Sequence, residues 1–164
     1  MLSAVSNLTQ VQQEVACPTA QTESLSFVPQ SNIEDAFALV SHIDLAKLNA
    51  KLHSHYGWDK YEVENIGCFY KEWLVLHICY PNVSLVPNAR LDEYWHAHIL
   101  DTIAYTQDCL MLFGKYLHHY PYYGLEGDEE QKEQSFELTN KLYQHHFNHR
   151  LNNTLNPCKS TDCR

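Results

Sequence analysis

The chain is poor in basic residues. Lysine and arginine together number 11 in 164 residues, against 20 aspartates and glutamates, so the formal net charge is −9. Phosphate backbones and anionic membrane surfaces attract basic patches, and an acidic chain matches neither of them. The composition therefore argues against nucleic acid and membranes as partners, and it leaves a small molecule or another protein.

Long apolar runs are also missing. The best stretch, residues 73–80, is far shorter than the ~18 apolar residues of a membrane span. Residues 1–30 contain no basic segment followed by an apolar one, so they do not resemble a signal peptide. We therefore expect a cytoplasmic protein whose six cysteines are free thiols or ligands. A disulfide between Cys158 and Cys163 is the alternative for two of them.

The order of polar and apolar segments predicts one all-α domain of about five helices. Residues 1–30 are rich in Ser, Thr, Gln and Asn and are interpreted as a flexible N-terminal arm. The helical domain is predicted over 31–152, and 153–164 form a cysteine-containing tail. No alternation of apolar and polar residues reaches the length of a strand.

The helices follow from apolar spacing and from residues that favour helix ends. The predicted segments are a split helix over 31–57, then helices over 60–80, 89–100, 101–113 and from about 126–130 to Arg150. Gly114 is expected to end the fourth of these segments, and Pro81 the second.

Histidine is the residue type that most needs an explanation, because its 11 copies equal all the lysines and arginines together. The stretch 91–124 holds four of them, with three aspartates, one cysteine and six tyrosines. Imidazole and carboxylate groups are ligands that suit zinc, iron, copper or nickel. The stretch therefore predicts a transition-metal site.

The first candidate ligands lie on the predicted third helix. His96 and His98 are two residues apart, or about 200° around a helix, so they do not easily grip one ion together. Asp92 lies four residues before His96, and Asp101 lies three after His98. A carboxylate one turn away either ligates beside the imidazole or orients it, and a plain structural hydrogen bond is the alternative.

Two further histidines, His118 and His119, lie in an aromatic loop. Loops often carry site residues, so either ring is a candidate to complete the site, and packing against tyrosines is the alternative. In the last helix, His145 and His149 form a weaker candidate pair at i, i+4, without the glutamate of the HExxH metalloproteases.

Cys109 is a candidate nucleophile if a histidine lies beside it, because a cationic partner lowers a thiol pKa. A buried core residue is the alternative interpretation.

Two motifs occur at a fixed interval, WHxH at 95–98 and YxxDC at 105–109, and they are followed by Phe113-Gly114 and HHxP at 118–121. Together they resemble the glycine-rich domain-containing protein-like family over 33–124, in its short stand-alone bacterial form. The chain has only five glycines and lacks the glycine-rich tail of the larger members, so the resemblance implies no RNA-related role. It implies that the motif residues are the ones to test, namely Trp95, His96, His98, Asp108 and Cys109.

The leading hypothesis is a helical metal-binding protein, and a small hydrolytic or oxidative metalloenzyme in its more specific form. The candidate ligands are Asp92, His96, His98, Asp101, His118 and His119, supported by Trp95, Tyr105, Asp108 and Cys109, and the candidate metals are zinc, iron and copper. The alternative is a non-enzymatic interaction module ordered by a His/Asp hydrogen-bond network. Convergence of the ligands on one point distinguishes the first hypothesis from the second.

Overall fold

The computed structural model describes residues 26–151, and within that range the chain forms six α-helices and no strand. The all-α prediction is confirmed. The helices are α1 (Gln30–Val40), α2 (Ala46–Ser54), α3 (Lys60–Cys79), α4 (Ala89–Ile99), α5 (Thr102–Phe113) and α6 (Glu129–Phe147). Within the described range, none of these helices has the length and apolar composition that crossing a membrane requires.

The count of six exceeds the predicted five because the split helix is two separate helices, α1 and α2. Ser41 follows the end of α1, where its hydroxyl donates to the Ala38 carbonyl at 2.7 Å. Asp44 then accepts a hydrogen bond from the Ala46 amide at 2.9 Å, just as α2 begins. These local bonds to backbone groups compete with a continuous helix.

Side-chain caps fix where the later helices begin and end. Asp59, Asn88 and Asp101 accept hydrogen bonds from the first backbone amides of α3, α4 and α5. Gly114 ends α5 in a left-handed conformation at φ 66°, as predicted. Asn148 ends α6 in the same way at φ 61°, so this helix stops before the predicted Arg150.

Helix α3 lies at the centre of the domain and packs against α1, α2 and α4. Its side chains Tyr70, Trp73 and Leu74 are almost fully buried. Trp73 meets Trp95 of α4 with ring centroids 4.6 Å apart. These aromatic contacts fix α4, the helix that carries the WHxH motif, against the core.

The end of the predicted N-terminal arm lies against α6. Phe27 stacks on His145 with ring centroids 3.8 Å apart, and the Val28 amide donates to the Tyr80 hydroxyl at 3.0 Å. The rest of the arm, 1–25, and the predicted tail with Cys158 and Cys163 lie outside the described residues.

One histidine that packs against the core, His77 on α3, is partly exposed but has a buried Nε2 atom. Its ring packs edge-on against Trp73 at 4.1 Å, and its Nε2 atom has no hydrogen-bond partner among the described residues. Burial lowers the pKa of His77 to about 3. The folded protein therefore holds this ring in its neutral form across the physiological range.

This burial predicts a pH-dependent contribution to stability. Between pH ~6.5 and about 3 the unfolded chain binds a proton at His77 that the folded chain does not. The contribution of the neutral ring is therefore complete above pH ~6.5 and is lost as the pH falls towards 3. We expect the free energy of unfolding to fall by ~2–3 kcal/mol less in the His77→Phe variant than in the wild type when urea unfolding is moved from pH ~7.5 to ~4.5, because each pH unit below ~6.5 costs the wild type ~1.4 kcal/mol. An equal change of the free energy of unfolding with pH in the two proteins would contradict this role of His77.

Candidate metal centre

Three predicted residues meet at one place on the surface of α4. Asp92 and His96 lie one turn apart on the same face of this helix, and His119 approaches them from the loop after α5. Within residues 26–151 they are the one group of three or more His, Cys, Asp or Glu residues whose ligand atoms all lie within 4.8 Å of one another. The structure thus brings together three of the six predicted ligands.

The three ligand groups form a small triangle. The two Nε2 atoms of His96 and His119 are 3.0 Å apart. His119 Nε2 lies 3.3 Å from Asp92 Oδ1, and His96 Nε2 lies 3.6 Å from Asp92 Oδ2. Two ligands ~2.05 Å from a tetrahedral zinc ion are ~3.3 Å apart, which is the middle of this range. The side chains therefore have the spacing of ligands around one ion.

The charges of the group suit a cation. Asp92 is only 4% exposed and lies in the first turn of α4, where the helix dipole favours a carboxylate. Burial lowers the pKa of His96, the Asp92 carboxylate opposes this change, and His119 reinforces it. As metal ligands, two imidazoles are neutral and one carboxylate carries a charge of −1, which is suited to a divalent ion.

Behind His119, the loop is attached to the helices by buried motif residues. The Trp95 ring packs against the His119 ring at 4.7 Å, and its indole N–H donates to the Tyr105 hydroxyl at 2.8 Å. Tyr105 in turn donates to the Leu117 carbonyl at 2.7 Å. The WHxH and YxxDC motifs are therefore joined by hydrogen bonds.

His98 does not join this cluster, because the 200° turn from His96 points it into the core. Its Nε2 lies 3.2 Å from Asp108 Oδ2, and its Nδ1 lies 2.9 Å from the Tyr70 hydroxyl. A proton on Nε2 is donated to the carboxylate, so Tyr70 must donate to Nδ1. Burial lowers the pKa of His98 to about 4 and raises that of Tyr70, and both changes favour these neutral, hydrogen-bonded forms.

Asp101 and His118 also lie outside the cluster of Asp92, His96 and His119. The Asp101 carboxylate caps α5 by accepting from the Ala104 amide at 3.3 Å. His118 is exposed, and its ring lies against Tyr116 at 4.9 Å. Neither residue belongs to the group that the structure brings together.

The candidate pair on the last helix is separated by the early end of α6. His149 lies beyond the helix and pairs with Glu72 of α3 at 3.0 Å, whereas His145 stacks on Phe27. The i, i+4 geometry predicted for these two rings requires a continuous helix, and Asn148 interrupts it.

Cys109 is buried beneath the loop rather than placed for attack on a substrate. Burial raises the pKa of its thiol, and the neighbouring Leu117 backbone and Tyr105 hydroxyl oppose this change only in part. A protonated, buried thiol is a structural group and not an activated nucleophile.

Two members of these networks were not among the predicted site residues. Tyr70 lies on the apolar face of α3, and nothing in its spacing distinguishes it from a core aromatic residue. Leu117 contributes backbone groups, which sequence patterns do not show. The sequence signal that was available for these networks is the fixed spacing of WHxH and YxxDC, because Tyr105 and Asp108 belong to the second motif.

The fold and the cluster define an all-helical protein with a candidate site of two histidines and one aspartate. The chain belongs to the UCP032817-like family, whose model matches residues 37–160. This match corrects the resemblance to the glycine-rich domain-containing protein-like family, because the WHxH and YxxDC motifs fall within the region that a different family covers. No curated protein and no solved structure matches the chain.

The buried contacts of His98 predict an effect on stability that an exposed histidine of the same stretch does not share. Replacing His98 with alanine leaves the buried Tyr70 hydroxyl and the Asp108 carboxylate without their partner. We expect a loss of about 2 kcal/mol or more in the free energy of unfolding, measured with urea in the absence of added metal. His118→Ala, at an exposed ring in the same motif-bearing stretch, should change it by less than ~0.5 kcal/mol. Equal effects would show that the His98 network does not stabilise the fold.

Proposed function

We propose that this protein binds one divalent first-row transition-metal ion through Asp92, His96 and His119. The observation that carries the proposal is the approach of the three groups to one another. The two Nε2 atoms are 3.0 Å apart, His119 Nε2 lies 3.3 Å from Asp92 Oδ1, and His96 Nε2 lies 3.6 Å from Asp92 Oδ2. Two ligands of one tetrahedral zinc ion are ~3.3 Å apart, so this spacing supports ligation of a single ion. Two histidines with one carboxylate form a donor set used by zinc and by non-haem iron.

Hydrogen bonds alone do not satisfy the contacts among Asp92, His96 and His119 well. In a neutral imidazole, Nε2 carries either one proton or one lone pair. If both His96 and His119 carry the proton there, two N–H groups face each other across 3.0 Å. If only one ring carries a proton at Nε2, the lone pair of the other ring faces the Asp92 carboxylate. A single cation accepts a lone pair from all three groups.

The chemistry that such an ion supplies depends on its open positions. Three protein ligands leave at least one position for water or a small molecule. Zinc there lowers the pKa of a bound water and supports hydrolysis, whereas iron supports oxidation. The side chains of His96 and His119 are 28% and 19% exposed, so this side of α4 is reachable from solvent. A hydrolytic or oxidative metalloenzyme is the more specific form of the proposal.

Metal binding is tested on protein purified without a metal-affinity tag. We expect the metal-free wild type to bind one equivalent of zinc, measured by competition with a chromophoric chelator. His119→Ala should weaken binding by tenfold or more, because it removes one of three ligands. His118→Ala is the matched control, since it removes the adjacent, exposed imidazole, and it should leave the affinity within twofold of the wild type.

Two outcomes would contradict the proposal. Wild-type protein that binds no zinc, iron or copper would favour the interaction module, with Asp92, His96 and His119 as a hydrogen-bonded network. An equal loss in both histidine variants would place the metal elsewhere or show that binding is non-specific.

A further inference from the structure

We infer that Tyr105 is a positioning residue for the metal centre, acting by holding the Leu117 peptide so that His119 reaches the Asp92–His96 pair. This inference rests on the proposed metal binding. Tyr105 is not one of the proposed ligands, and it acts through the backbone of the loop.

The need for such a residue follows from where the ligands come from. Asp92 and His96 share one helix, so their spacing is fixed by helix geometry. His119 lies in irregular backbone between α5 and α6. A free loop would lose conformational entropy when its imidazole is captured, and this cost weakens binding. Contacts that order the loop beforehand remove that cost.

The Tyr105 hydroxyl connects α4, α5 and the loop. It accepts from the Trp95 indole N–H at 2.8 Å and donates to the Leu117 carbonyl at 2.7 Å. Leu117 precedes His119 by two residues. The Trp95 ring that donates this bond also packs against the His119 ring at 4.7 Å. The same pair of side chains thus fixes both the backbone before His119 and its imidazole.

Cys109 holds the same peptide from a second direction. It lies four residues after Tyr105, on the same face of α5, and its thiol neighbours the Leu117 backbone and the Tyr105 hydroxyl. Both residues are almost fully buried. Two contacts one helical turn apart restrict Leu117 more than either does alone, which gives the YxxDC motif a role in placing His119.

A comparison of two tyrosine variants tests this role. Tyr105→Phe removes only the hydroxyl, and we expect zinc to bind about tenfold more weakly, a typical effect of losing a group that orients a metal ligand. The matched control is Tyr143→Phe, which removes another buried hydroxyl that donates to a backbone carbonyl, that of Phe69 at 2.6 Å. Its affinity should stay within twofold of the wild type.

Two further measurements separate positioning from a general loss of stability. With cobalt in place of zinc, Tyr105→Phe should show weaker visible absorption as water replaces the His119 ligand, whereas Tyr143→Phe should match the wild type. In metal-free protein, faster amide exchange should be confined to the loop around 115–121. If Tyr105→Phe does not fold, Cys109→Ala removes the second contact and should weaken zinc binding about threefold.

The outcomes distinguish this inference from the proposed function. Wild-type protein that binds no zinc overturns both. Wild-type protein that binds zinc, with Tyr105→Phe or its substitute Cys109→Ala binding as tightly and giving the same cobalt spectrum, overturns only the positioning role. An equal loss of affinity in Tyr143→Phe also overturns it, because the effect would then reflect stability alone.

Discussion

The buried carboxylate of Asp92 is the constraint around which this side of the molecule is organised. A charge that is removed from water must be compensated by partners close to it. Asp92 has the N-terminal turn of α4 behind it and the imidazoles of His96 and His119 in front. His119 places the loop after α5 against α4, and the hydrogen bond from Tyr105 to Leu117 attaches this loop to the helices.

Helix α4 separates two polar groups that the WHxH motif appeared to combine. His96 faces the loop with Asp92, and His98 faces the core, where Tyr70 and Asp108 satisfy both of its ring nitrogens. One group is partly exposed and has the spacing of metal ligands, whereas the other is buried and hydrogen-bonded throughout. The candidate metal site and the hydrogen-bonded group around His98 thus lie on opposite faces of one helix.

Local spacing predicted what depends on local geometry, and tertiary contacts decided the rest. The Asp92–His96 pair follows from an interval of four residues, and the end of α5 follows from Gly114. Asp101 was paired with His98 on the same reasoning. Its carboxylate does act on the charge of His98, but it caps α5, and Asp108 makes the close contact with the ring. The choice of His119 over His118 could not be predicted, because the conformation of an irregular loop depends on contacts such as that between Tyr105 and Leu117.

The most direct test of the metal centre is to record the ring nitrogens of all 11 histidines by two-dimensional NMR during a zinc titration. At one equivalent of zinc, we expect only His96 and His119 to change to the shifts of metal-bound Nε2, while His98 keeps those of a neutral, hydrogen-bonded ring. Metal-bound shifts at His98, His145 or His149, or none at all, would contradict it.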